Sequence, residues 1–222
     1  MTINETNEVI QGIEILYADE SLLMVNKPAG LLSVPGRAPE WKDCLISRLQ
    51  TVYPDALTVH RLDCETSGVM VVARGAGIHK NLSRQFQERE VEKSYRAWIS
   101  GHPELESGMV DLPLICDWEK RPKQKVCYET GKSAQTHYTI VKKFSLHDAP
   151  VAEVELTPIT GRSHQLRVHM LSLGHPIIGD KLYAPDAIKA LGTRLHLHAE
   201  RLVVTHPRTK QTLEIACLRP SK

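Results

Sequence analysis

The chain has 222 residues, 41% hydrophobic and 24% charged, which is enough apolar material for a core and enough charge for a wetted surface. Its formal net charge of +2 and pI near 8.3 are too mild to announce a nucleic-acid binder, since such domains often exceed a pI of about 9. Its apolar runs are far too short to span a bilayer, and the polar N-terminus lacks the basic start and apolar centre of a signal peptide, so no membrane partner is expected.

In chain order, residues 1–12 are expected to be flexible, and residues 13–222 to form a single domain. Residues 13–17 and 22–26 flank Ala18-Asp19-Glu20-Ser21 and read as a hairpin. Lys27-Pro28-Ala29-Gly30 then opens a Gly- and Pro-bearing loop that runs to Pro39. Over residues 43–52, Leu45, Ile46, Leu49 and Val52 share one stripe with Pro54 beyond, which predicts a short helix. Residues 60–68 are turn-like, and the β-branched run 69–74 after them is a predicted strand. Ile78, Leu82 and Phe86 at four-residue spacing predict a second helix. Between residues 93 and 101, Tyr95, Ala97 and Ile99 alternate with Arg96, Trp98 and Ser100, the pattern of a half-buried strand.

Charge is uneven along the chain. From Glu119 to Lys143, seven basic residues stand against two acidic ones, a local net of +5. Taken alone, that is the pattern of a solvated loop. Further strands are predicted at 137–142, 152–157, 202–205 and 212–217. The clearest helix is 163–173, with Leu166, His169, Met170 and Leu173 on one face and Gly174 placed to cap its end. Many short strands with two to four helices indicate an α+β fold, a mixed and largely antiparallel sheet flanked by helices.

Three constellations can carry chemistry. His60-Arg61-Leu62-Asp63-Cys64-Glu65-Thr66-Ser67-Gly68 sets a carboxylate on a turn that feeds a strand, rigid yet able to face a cleft, although such an aspartate often does no more than cap local amides. Thr160-Gly161-Arg162-Ser163-His164-Gln165-Leu166-Arg167-Val168-His169 is a loop-to-helix junction. Arg162 stands at the helix end where a cation does not help the dipole, so it is expected to face something negative, which its planar fork would suit. Lys93-Ser94-Tyr95-Arg96-Ala97 places a tyrosine on the apolar face of its strand; by itself that is an ordinary core position.

Other chemistries find little support. His164/His169 and His196/His198 lack metal-site spacing, and no carboxylate completes an H-E-x-x-H pattern. Neither G-x-G-x-x-G nor G-x-x-x-x-G-K-[ST] occurs, so no metal and no nucleotide or other cofactor is expected. The five cysteines are scattered without a C-x-x-C pair and support neither a zinc ribbon nor a disulfide framework. Reduced thiols and a cytoplasmic location follow.

Taken together, these segments resemble the RluA family of pseudouridine synthases. His60-Arg61-Leu62-Asp63 with Thr66-Ser67-Gly68 is similar to its H-R-L-D-x-x-T-S-G signature, Lys93 to Ala97 to its tyrosine motif, and Thr160 to His169 to its arginine motif. Val25-Asn26-Lys27-Pro28-Ala29-Gly30-Leu31 and His175-Pro176-Ile177-Ile178-Gly179-Asp180 agree as flanks. The likeness extends to the family member that modifies both large-subunit (23S) ribosomal RNA and a tRNA anticodon stem-loop. It is carried there by Gly30-Leu31-Leu32-Ser33-Val34-Pro35-Gly36-Arg37, by residues 111–118 and by residues 121–132. Many relatives carry an S4-like RNA-binding domain, which is not expected here.

The resemblance implies an isomerase that breaks C1′–N1 of a uridine flipped out of its RNA, rotates the uracil and rejoins it through C5. It implies Asp63 as the catalytic carboxylate, Arg162 as the cation that keeps it ionised, and Tyr95 beside the flipped base, with a proton to move. Arg61 would fill the space the base leaves, and the segment containing Arg121, Lys123 and Lys125 would meet phosphates. RNA is the expected partner and a monomer the expected state. Two other readings compete. An RNA N-glycosidase would need a second carboxylate for its water, and Glu65 has no sign of facing the same sugar. A non-catalytic RNA-binding or ribosome-assembly factor could use the same fold, against which the intact Asp63, Tyr95 and Arg162 count.

Overall fold

A computed structural model describes residues 8–218, and they cluster into two compact units, residues 8–93 with 199–218 and residues 94–198. The first opens with β1 (Val9–Ile10), β2 (Ile13–Ala18) and β3 (Leu22–Lys27). Of the twelve residues expected to be flexible, 1–7 lie outside the described part, and Val9–Ile10 are a strand paired with Glu14 and Ile13. Burial of Ile10 gives that pairing its apolar anchor. The predicted hairpin turns at Asp19, whose Oδ1 accepts the amides of Ser21 and Leu22. The first predicted helix shortens to α1 (Leu45–Leu49), Leu45, Ile46 and Leu49 being buried while Val52 is left exposed.

β4 (Ala56–Thr58) and β5 (Ser67–Arg74) follow, then α2 (Ala76–Glu88), whose Ile78, Leu82 and Phe86 pack on the sheet as their spacing predicts. β5 is antiparallel to both β3 and β4, and nearly all of it is buried.

The second unit holds β6 (Glu92–Ser100), β7 (Ser107–Asp111), β8 (Leu114–Cys116), β9 (Gln124–Val126), β10 (Gln135–Leu146) and β11 (Ala149–Pro158). Its main sheet runs β6-β11-β10-β7 with antiparallel neighbours, and β8 and β9 form a separate hairpin. The basic run read as a solvated loop is therefore partly a hairpin. Helix α3 (Gln165–Ser172) and the short α4 (Asp186–Lys189) follow. Gly174, at φ +84°, caps α3 in the left-handed conformation, as its position predicts. Leu166 and Met170 of α3 join Ala97, Ile99, Val154 and Leu156 in the unit's core.

β12 (Leu197–Thr205) returns the chain to the first unit, where it lies next to β5 and pairs antiparallel with β13 (Thr212–Ala216). Leu202, Val204 and Ile215 complete the core begun by Leu22, Met24, Val69 and Val71. The β1–β2, β2–β3, β3–β5, β4–β5 and β12–β13 pairs of the first unit and the β6–β11, β11–β10, β10–β7 and β8–β9 pairs of the second are antiparallel, and the fold is α+β. Among the described residues no helix is long and apolar enough to cross a membrane.

Candidate active site

In the first unit, Asp63 sits on the turn before β5, half-buried, with Arg61 exposed two residues earlier. The turn is held from both sides by groups it does not contain. On one side, the buried Ser33 hydroxyl donates to the carbonyl of Leu62 at 2.8 Å and accepts its amide at 3.1 Å. On the other, the Cys64 carbonyl accepts the Gly30 amide and the Lys27 ammonium, both at 2.9 Å. Nζ of Lys27 also donates to the carbonyls of Pro28 and Leu31 at 2.8 and 2.7 Å. These bonds satisfy a fully buried lysine with three acceptors, which matches its three donors. Burial pushes the Lys27 pKa down to about 8, against the opposing pull of the negative charges at Cys64, Asp63 and Glu65.

The strand after the turn fixes its exit. Gly68 has φ +115°, and a Cβ there would lie 2.2 Å from the carbonyl oxygen of Ala199, so only glycine fits. Lys27 lies directly across from Gly68 in the β3–β5 register, which brings the lysine under the turn. At the start of the signature, Nε2 of His60 accepts the Val71 amide at 3.1 Å, and the ring stacks on Phe86 at 4.4 Å. Burial, with the charge of Lys93 adding to it, depresses that imidazole to about 3, so His60 is neutral and structural.

In the second unit, Tyr95 and Arg162 stand at the same end of one ladder. Tyr95, near the start of β6, pairs with Leu156 near the end of β11, and Arg162 follows β11 by four residues. Arg162 is exposed, and its Nε donates to the Ser133 carbonyl at 3.1 Å. Its turn is clamped by Gln165, whose Oε1 accepts the Arg162 amide at 2.9 Å and the Thr160 hydroxyl at 2.7 Å. The amide nitrogen of Gln165 donates to the Gln135 carbonyl and the Thr160 hydroxyl accepts the Gln135 amide, both at 2.9 Å. His169, one of the histidines weighed as a metal ligand, is buried and bonded to Thr136 and the Leu112 carbonyl.

Arg121, Lys123 and Lys125 belong to the β8–β9 hairpin and its tip. The Arg121 guanidinium lies 3.6 Å from the ring centre of the exposed Trp118, and Lys125 reaches Asp117 at 3.5 Å. A cation stacked on an exposed indole offers both a charge and a flat surface. Asp63 and Arg61 thus lie in one unit, and Tyr95, Arg162 and the three hairpin cations in the other. Sequence reasoning missed the residues that hold these turns: Lys27, Ser33, Gln165 and Thr160.

Residues 21–172 match the RNA pseudouridylate synthase family. The chain is 55% identical to the "Dual-specificity RNA pseudouridine synthase RluA" of Yersinia pestis, over 91% of this chain and 97% of that protein. It is 58% identical to the protein of the same name from Escherichia coli K12, over 87% of each. Among solved structures, "Human RNA Pseudouridylate Synthase Domain Containing 1" superposes with a TM-score of 0.81 at 28% identity, covering 96% of this chain and 86% of that one.

Proposed function

The chain belongs to the RNA pseudouridylate synthase family, an isomerase that converts uridine in RNA to pseudouridine, and we propose that Asp63 is its catalytic carboxylate, serving both 23S rRNA and a tRNA anticodon stem-loop. The observation that carries this reading is the Asp63 turn itself, with Leu62 and Cys64 anchored on either side by Ser33, Gly30 and Lys27. Such anchoring spends buried groups on the backbone around a half-buried carboxylate, the preorganisation a reacting group needs.

Asp63 attacks C1′ of the flipped nucleotide or stabilises its developing charge, with Arg162 as the cation favouring the ionised form. Tyr95 packs beside the uracil and moves a proton, and Arg61 occupies the space the base vacates. Arg121, Lys123 and Lys125 hold phosphates. The reaction draws on no metal or cofactor. The five cysteines stand as thiols, which fits a reducing compartment, and we place the protein in the cytoplasm as a monomer.

The test follows mass and bonding together. With Asp63 as the acting carboxylate, RNA incubated with the enzyme keeps its mass while the target nucleoside gains a carbon–carbon glycosidic bond, read by carbodiimide labelling of the new N1. Asp63→Asn keeps the side chain's shape and removes its charge, so turnover vanishes while RNA affinity stays within a few-fold. Residual turnover within tenfold of the parent would overturn the role of Asp63. Released uracil would overturn the reaction.

A further inference from the structure

Between the hairpin and the Arg162 turn stands one side chain that the mechanism above does not use. Tyr183 Oη lies 2.7 Å from the backbone nitrogen of Gln124, the first residue of β9, and 2.7 Å from Nδ1 of His164. The Gln124 amide can only donate, so the phenol oxygen accepts there. The same oxygen is bonded to His164 Nδ1, so one hydroxyl joins the β9 backbone to the residue before α3. The two rings meet edge to face at 5.6 Å.

Both ends of this bridge matter. His164 is the residue before α3 and has φ +53°, a left-handed backbone that a non-glycine side chain rarely adopts and that its surroundings must hold. It lies two residues after Arg162, whose carbonyl accepts the Gln165 amide. At the other end, Gln124 pairs with Cys116 and so fixes the β8–β9 ladder, and Lys123 places its ammonium 6.0 Å from the Tyr183 ring centre.

Tyr183 itself cannot drift. The buried Arg167 stacks 5.0 Å from its ring centre and forks onto Asp180 at 2.8 and 2.6 Å. Asp180 Oδ1 in turn accepts the backbone amides of Leu182 and Tyr183. The apolar flank of the ring packs with Leu114, Val126 and Val168. A buried ion pair whose remaining oxygen positions are taken by local amides is a rigid mount.

We propose that Tyr183 is a positioning residue: its hydroxyl locks the left-handed His164, and with it the turn carrying Arg162, to the base of the basic hairpin. RNA seated on that hairpin is thereby held in register with Arg162. This rests on the roles given to Arg162 and to the hairpin lysines above.

The experiment is a double-mutant cycle of Tyr183→Phe and His164→Asn on a short stem-loop RNA, with Arg162→Lys as the reference and amide exchange measured on each protein. Phenylalanine keeps the ring that Arg167 stacks on, and asparagine tolerates left-handed backbone. Tyr183→Phe lowers kcat at least tenfold with KM within threefold, and the double variant stays within twofold of the worse single one. Exchange speeds up at Gln124 and over residues 162–165 and not in β12 or β13. A kcat within twofold of the parent, beside an Arg162→Lys enzyme that has lost its rate, overturns the lock, as do losses that multiply in the double variant. If Arg162→Lys turns over normally, the reading of the site fails instead, and unchanged exchange at Gln124 and residues 162–165 still overturns the lock by itself. Should Tyr183→Phe fold poorly, His164→Asn alone decides the matter, since a parental kcat there overturns the coupling.

Discussion

Lys27 and Asp63 divide the labour that one charged residue in a loop would otherwise have to do alone. The lysine is buried with its three donors on three backbone carbonyls, so its charge shapes the turn and leaves the aspartate to the substrate. Lys27→Met keeps the length and removes every donor. The carbonyls of Pro28 and Leu31 then lose their partner while that of Cys64 keeps the Gly30 amide, at roughly 1–3 kcal/mol for each one left unsatisfied, and urea unfolding at pH 10, where most of the cost of the buried charge has gone, should register a loss of about 2 kcal/mol or more. The pH dependence has a definite sign. The folded lysine titrates near 8 and the unfolded one near 10.5, so between those values the unfolded chain binds more protons and stability rises with pH. Below about 8 the folded state carries the whole cost of the buried charge, on the order of 3 kcal/mol. Measured at pH 7 and pH 10, the parent should therefore gain stability relative to Lys27→Met, and a constant difference would contradict the burial argument. Of these two residues the sequence made only Asp63 conspicuous, through its motif. Lys27 read as punctuation before Pro28, because nothing local says that a lysine will find three carbonyls 1, 4 and 37 residues away.

At the scale of elements, α3 and the β8–β9 hairpin show where periodicity stops being informative. The stripe Leu166, His169, Met170 and Leu173 predicts a helix with one buried face, and α3 is a helix. Yet Gln165, Arg167 and Val168 are buried too, while Leu173 is 38% exposed. Each buried polar side chain has an internal partner supplied by a distant segment, Asp180 for Arg167 and Thr136 for His169, and no window of sequence reveals that. The hairpin was hidden for a different reason. Its strands are three residues long and lie in or beside a basic run, so charge masked the alternation. That charge gives the next prediction. Lys123→Ala and Lys125→Ala should each weaken RNA binding at low salt and reduce the slope of log K against log salt by about 0.7–0.9. The surface contact of Lys125 with Asp117 is too weak to alter this. Filter binding across a salt series checks it, and an unchanged slope would mean that these lysines do not meet phosphates.

For the molecule as a whole, the α+β class and most strands were legible because apolar alternation survives in β2, β6 and β11 and β3 is a short apolar run buried on both faces. The division into two compact units was not, since the first is built from both ends of the chain. Substrate breadth belongs to this scale. Relatives 49–59% identical over about nine-tenths of the chain carry a dual-specificity name, and we extend that breadth to this protein as a prediction. If one Asp63 serves both RNA classes, a 23S rRNA hairpin and a tRNA anticodon stem-loop must compete for it. Each should then inhibit modification of the other competitively, with an inhibition constant equal to its own Kd, and Asp63→Asn should abolish both activities together. Both loops must also present a base that can be unstacked at a cost of a few kcal/mol, so pairing the target uridine into a stable stem should suppress turnover in either RNA. Modification of only one RNA class at a useful rate would end the dual assignment while leaving the isomerase intact. Modification of both without mutual competition would show that a single carboxylate does not serve them.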